Sequence, residues 1–223
     1  MKKNILIIAP HPDDEVLGCG GIINKLSDSG NNVFILIATR GVAKLYSDSR
    51  IENGRSEART AHSMLGVLET LFLDFPAPEL DTVPLADISS EFSKIIQKHQ
   101  IEILFLPHRG DIHHDHKVIF NAGIVAARPV GDYTIKEIYC YETLSETEWA
   151  APFADDAFVP TYFVNIENSI EAKKEAMKCY KSQLRDFPGS RSLEAIEALA
   201  KFRGATVGFR YAEAFMIIRQ IND

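Results

Sequence analysis

Histidine and carboxylate side chains crowd two short segments of this chain. One reads His11-Pro12-Asp13-Asp14-Glu15, the other His108-Arg109-Gly110-Asp111-Ile112-His113-His114-Asp115-His116, and together they hold five of the seven histidines. Imidazole and carboxylate without thiolate suit Zn²⁺ or another first-row divalent ion, Fe²⁺ among them. Three such ligands with one open position make a hydrolytic rather than a structural site. His11 and Asp14 stand three residues apart where a helix begins, so they can face one side and chelate one ion, while Pro12 limits the turn between them. Asp13 is then left free beside the ion, as a base for water. His113 and His116 repeat the three-residue spacing. Taken singly, each segment has a plainer reading: favourable charge in a helix's first turn for Asp13-Asp14-Glu15, a solvated helix start for 113–116. His62 and His99 fall within or at the end of helical patterns and read as ordinary surface or partly packed residues.

These segments need elements that bring them together. Ile5–Ala9, Val33–Ala38, Thr70–Leu73 and Ile103–Leu106 are short apolar runs of the kind that become buried parallel strands, and Glu137–Tyr141 is a fifth. Helical spacing appears near 17–29, 51–65, 86–99 and 114–127, giving a βαβ rhythm. Two more helices are expected near 168–185 and 192–203, with a last strand at Ala214–Ile218. The pattern predicts a Rossmann-like, doubly wound α/β fold with a mostly parallel central sheet and helices on both faces. No repeat or linker divides it, so 1–223 reads as one domain. In the strand order 3-2-1-4-5 the first and fourth strands are neighbours, and ligands bind where their C-terminal ends diverge. The two histidine segments follow those two strands and are expected to meet there.

Composition narrows the function. Thirty-one acidic against 24 basic residues give a net charge of −7, the wrong sign for affinity built on phosphate neutralisation, so no nucleic-acid partner is expected. The three cysteines, Cys19, Cys140 and Cys179, form no Cys-x-x-Cys and suggest a reducing, cytoplasmic setting. No run is long enough to span a bilayer. Gly18-Cys19-Gly20-Gly21 follows the first strand, but Ile23 stands where a dinucleotide fingerprint needs glycine, and no phosphate loop or serine-nucleophile elbow is present. Arg40, Lys44, Arg50, Arg55 and Arg59 fall on the ligand side of the sheet, where Arg50 or Arg55 can hold a substrate carboxylate, phosphate or hydroxyl; the plainer reading is an exposed helix face paired with Glu52 and Glu57. Tyr141, Trp149 and Phe153 offer a sugar-stacking lid or, more plainly, packing under the irregular stretch 142–161.

Ala9-Pro10-His11-Pro12-Asp13-Asp14-Glu15 with Gly18-Cys19-Gly20-Gly21, and Asp111-Ile112-His113-His114-Asp115-His116, resemble the motifs of the PIG-L/LmbE family of metal-dependent N-deacetylases. Weaker echoes run through Glu57–Gly66, Tyr180-Lys181-Ser182-Gln183, and Arg203-Gly204 through Tyr211-Ala212-Glu213-Ala214-Phe215. The resemblance implies a Rossmann-like fold and a metal, usually zinc, on His11, Asp14 and His116. It implies Asp13 as general base, His113 as oxyanion stabiliser or acid, and Asp115 as the residue that orients and charges His113. The implied substrate is a small N-acetylglucosamine-type sugar or conjugate, and the implied assembly a homo-oligomer. Two departures stand out: His114 replaces the family's frequent proline and is a rival ligand, and Gly54 stands where many relatives carry arginine. The residues alone leave open hydrolysis of a non-sugar amide or a phosphoester, or a non-catalytic metal-containing sugar-binding module.

Overall fold

A computed structural model describes residues 2–130, 134–151 and 153–222. Its centre is the first strand, β1 (Asn4–Ala9), whose residues Ile5 to Ala9 are wholly buried. Each fully buried isoleucine or leucine contributes about 1.5–3 kcal/mol, so this run without polar alternation is stable only with both of its faces covered. It pairs in parallel with β2 (Asn32–Gly41) on one side and β4 (Ile103–Pro107) on the other. β3 (Glu69–Ala77) and β5 (Glu137–Tyr141) extend the parallel sheet outward. The expected 3-2-1-4-5 order is therefore present.

Two further strands complete it: β6 (Tyr162–Asn165) and β7 (Ala212–Gln220), both antiparallel to their neighbours, giving β3-β2-β1-β4-β5-β7-β6. β6 has only four residues at the edge of the irregular stretch, too short for its alternation to stand out in the sequence.

Helices cover both faces. Ile5, Ile7 and Ala9 pack with α1 (Asp14–Asp28), α2 (Asp48–Met64), α5 (Ile170–Cys179) and α6 (Leu193–Ala205). Leu6 and Ile8 pack with α3 (Leu85–His99) and α4 (His114–Ala126). The helix expected over 168–185 stops at Cys179, because Tyr180 leaves helical geometry and buries its ring. Tyr141 belongs to this core and to no lid: it is fully buried and its hydroxyl donates to the Ile8 carbonyl at 2.9 Å. No helix among the described residues is long and apolar enough to cross a membrane.

The glycines of α1 are packing residues. A Cβ on Gly18 would collide with the Tyr141 ring, and one on Gly21 would lie 2.8 Å from Ile166. This close approach admits a buried ion pair into the helix. Lys173 Nζ donates to the Leu17 carbonyl at 2.8 Å and to Glu213 at 2.6 Å, while Glu213 accepts the Gly21 and Ile22 amides at 2.8 and 2.7 Å. α5 and β7 thus bring side-chain partners to backbone groups in the middle of α1.

Candidate metal and catalytic site

β1 and β4 end side by side, and the segments that follow them converge. His11 Nδ1 and His116 Nε2 each lie 3.2 Å from Asp14 Oδ2. His11, Asp14 and His116 form one of two groupings among the described residues whose ligand atoms all fall within 4.8 Å of one another; His11, His113 and Asp115 form the other. Donors bound to zinc at ~2.0–2.1 Å in tetrahedral geometry stand roughly 3.3–3.4 Å apart, so each histidine nitrogen already stands from Asp14 Oδ2 at close to the spacing an ion requires. His116 Nε2, buried, has no hydrogen-bond partner, which in a protein interior marks a group awaiting one. The residues fit a divalent cation. His114 is exposed and belongs to neither grouping.

Local structure explains the aim of each group. Asp13 caps α1 with φ 109°, a left-handed conformation that non-glycine residues rarely adopt. Its amide donates to Glu15 Oε2 at 3.2 Å, and its carbonyl accepts from Val16 and Leu17. Asp13 and Asp14 consequently diverge: Asp14 joins the histidines, and Asp13 lines the cavity with a buried Oδ2 that has no hydrogen-bond partner. Glu15, fully buried, accepts from the Tyr180 hydroxyl and meets His62 Nε2 at 3.0 Å. His62 binds Thr70 Oγ1 through its other nitrogen at 2.8 Å and is 1% exposed. The sequence reading of His62 as a surface or partly packed residue is thus corrected: both ring nitrogens have partners, which is what permits full burial.

Across the site, His113 caps α4 by accepting the Asp115 amide at Nδ1, 3.2 Å. His116 Nδ1 meets buried Asp111 Oδ2 at 2.7 Å, and Asp111 is held in turn by Thr147 at 2.6 Å. Asp115 Oδ2 lies 3.0 Å from His11 Nε2 and 3.9 Å from His113 Nδ1. His108, the remaining histidine of the second segment, is buried and bonded to the Asp156 carbonyl at 2.8 Å; it anchors the 142–161 loop.

The electrostatics follow from burial and mutual contact. Burial alone would lower both histidine pKa values, but Asp115 and Asp14 carry His11 up to about 9, and Asp14 with Asp111 carries His116 up to about 10. Burial also opposes the charge on Asp14, yet His116 and His11 hold it well below the usual carboxylate range. Burial pushes the Asp13 carboxyl well above its ordinary value, with Arg191 pulling the other way. Burial and the charge on His11 push His113 down to about 4. It is therefore a neutral imidazole, and since Nδ1 accepts, its proton sits on Nε2.

The cavity above this floor encloses about 220 Å³. One wall is α2 and the loop before it, with Tyr46, Arg50 and Arg55; another comes from Tyr180, Ser182, Gln183, Arg191 and Glu146. The Arg55 pairing expected with Glu52 or Glu57 is made instead with Asp74, at 2.5 Å. Glu57 receives the Ser182 hydroxyl at 2.6 Å. Arg50 stacks on Tyr46 at 5.1 Å. Trp149 and Phe153 are exposed and do not line the cavity. Arg191, unforeseen in the sequence, reaches in from the α5–α6 loop. Its guanidinium lies 3.3 Å from Asp13 Oδ2 and 3.6 Å from Glu146, and is held by Ser145 and Gln183, both at 2.8 Å.

Fold and site together define a class: a Rossmann-like domain that gathers imidazole and carboxylate donors at its topological switch point. Within that class the chain belongs to the PIG-L family, described as GlcNAc-PI de-N-acetylase, whose model matches residues 6–127, more than half of the 223. The uncharacterized deacetylase YaiS of Escherichia coli K12 is 32% identical over 187 residues, covering 81% of this chain and 92% of the relative. Diacetylchitobiose deacetylase of Thermococcus kodakarensis is 28% identical over 227 residues, covering 97% and 83%. The N,N'-diacetylchitobiose deacetylase structure from Pyrococcus horikoshii superimposes with a TM-score of 0.77 at 25% identity, covering 97% and 84%. The fold alone is shared with GalB, a 4-carboxy-2-hydroxymuconate hydratase from Pseudomonas putida, at TM-score 0.80, 16% identity and 99% and 98% coverage. Architecture by itself therefore does not name the reaction.

Proposed function

We propose that this protein is a metal-dependent amidohydrolase that removes the acetyl group from an N-acetylglucosamine-type sugar or conjugate, releasing acetate and a free amine. The observation that carries the reading is the convergence of His11, Asp14 and His116 around one point, with Asp13 Oδ2 beside it in the cavity, buried, accepting no hydrogen bond and facing only the Arg191 guanidinium. The deacetylase relatives support the choice of bond.

His11, Asp14 and His116 would hold the ion, zinc by the character of the donors, with Fe²⁺ also compatible. When bound, such an ion supplies Lewis acidity toward water and the acetyl carbonyl. Asp13, whose burial favours the protonated form, takes the proton that water loses on attack. His113, neutral with its proton on Nε2, donates to the carbonyl oxygen as charge develops there. Asp13 then returns its proton to the departing amine nitrogen, which leaves both carboxylate and imidazole as they began.

The test is acetate and primary-amine release from a panel of N-acetylglucosamine conjugates, with metal content measured on the same sample and Asp13→Asn as control. Equal release of both products, lost in the variant, is the expected result. Release of phosphate from phosphoesters instead, or bound metal with no product from any panel member, would overturn the reading.

A further inference from the structure

We infer that the Asp115 carboxylate is a positioning group for His11, and that His113 takes from Asp115 only its backbone amide. The inference rests on the metal reading above and departs from the role that the family resemblance implies for Asp115.

The hydrogen-bond directions decide it. The Asp115 amide is a donor, so His113 Nδ1, which receives it at 3.2 Å, carries a lone pair and no hydrogen. A ring with no hydrogen at Nδ1 has nothing there to offer a carboxylate, and the Asp115 oxygen lies 3.9 Å away, outside hydrogen-bonding distance. The same oxygen is 3.0 Å from His11 Nε2, and the other carboxylate oxygen accepts the Leu80 amide at 3.3 Å. Asp115 is fully buried, so its orientation is fixed by these two partners.

The arrangement is duplicated across the site. His11 presents Nδ1 to Asp14 and Nε2 to Asp115; His116 presents Nε2 to Asp14 and Nδ1 to Asp111. Each imidazole is gripped from behind by a buried carboxylate while its other nitrogen faces the common point. A carboxylate in that position fixes tautomer and ring orientation and raises the donor strength of the nitrogen opposite. Asp111 and Asp115 are thus equivalent supports, one for each histidine ligand, and both come from the second segment.

The experiment compares Zn²⁺ affinity, by competition with a chromophoric chelator, in the full chain and in Asp115→Asn, Asp111→Asn and His113→Ala. Both carboxamide variants should bind roughly 10–100-fold more weakly, and His113→Ala should stay near the wild type. Wild-type affinity in Asp115→Asn, with a loss of turnover at saturating metal as large as in His113→Ala, would overturn the inference and restore Asp115 to His113. A wild-type chain that binds no Zn²⁺ would instead defeat the metal reading before any variant is compared. Nitrogen-15 NMR of the wild type gives a readout that needs no variant to fold. Zn²⁺-loaded protein should show the Nε2–H tautomer of His113 and a protonated His11 Nε2; an Nδ1–H tautomer at His113 would also overturn the inference.

Discussion

The floor of the cavity and its walls are built in different ways. On the floor, His11, Asp13, Asp14 and His116 are carried by backbone that leaves two adjacent parallel strands and enters two helices. Their positions are inherited from the sheet. The wall formed by Glu146, Tyr180, Ser182, Gln183 and Arg191 comes from irregular chain, and side-chain bonds hold it: Arg191 to Ser145 and Gln183, Ser182 to Glu57. A floor fixed by the core can present one reaction reliably, while a wall tied by polar contacts can change shape without unfolding the sheet. Under the proposed function this division would place chemistry below and choice of substrate above.

Changes to the floor should have the largest effects. His116→Ala removes one of three donors and should lose both bound metal and turnover, read by elemental analysis and acetate release. Asp13→Asn should keep its metal and lose about 10²–10⁴-fold in turnover; retention of wild-type turnover would remove Asp13 from the mechanism. On the wall, Arg191→Gln should lower kcat/KM by roughly 10–100-fold, the range for a hydrogen bond to a charged group, with metal content intact. Loss of metal in this variant would show that floor and wall are not separable.

Proton competition gives a further test of the floor. His11 and His116 have pKa values raised to about 9 and about 10 in the metal-free chain. Their contribution to metal-free stability is therefore complete below the ordinary 6.5 and is lost as pH rises through those values. Zn²⁺ must displace the same protons, so its apparent affinity should rise by about tenfold per pH unit for each proton released. Titration calorimetry in buffers of different ionisation enthalpy measures that release, and uptake without it would contradict the ligand set. The smallest effect is expected far from the site: Glu197→Gln, which breaks surface pairs with Lys174 and Lys201, should leave the denaturation midpoint within experimental scatter.

The same contrast explains what the amino-acid sequence discloses. The order of β1 to β5 and the meeting of the two histidine segments follow from apolar runs and the switch-point rule, because both are encoded locally. Arg191 carries no local signal; its loop lacks periodicity, and its partner Asp13 is at the other end of the chain. His62 was misplaced because a helical pattern records which face is apolar and not that Glu15 and Thr70 satisfy both ring nitrogens. Tyr180 and Ser182 did leave a trace, in a short motif of the family, but only the fold shows that they close a wall. Asp115 sits in a legible motif, yet which histidine it serves depends on the direction of one amide hydrogen.

The ion pair of Lys173 and Glu213 has a consequence for the order of folding. The amides of Gly21 and Ile22 belong to the helix that carries Asp13, Asp14 and Glu15, and their acceptors arrive with the last strand. Glu15 likewise waits for Tyr180, and Asp13 for Arg191. A nascent chain that has released only β1 to β5 already contains every residue of the proposed metal site, but it lacks the contacts that Glu213, Tyr180 and Arg191 make to α1 and its first turn. Competence is therefore acquired late, when the C-terminal strand slots in between β5 and β6, and a ribosome-bound chain ending before residue 213 should have the motifs without the site.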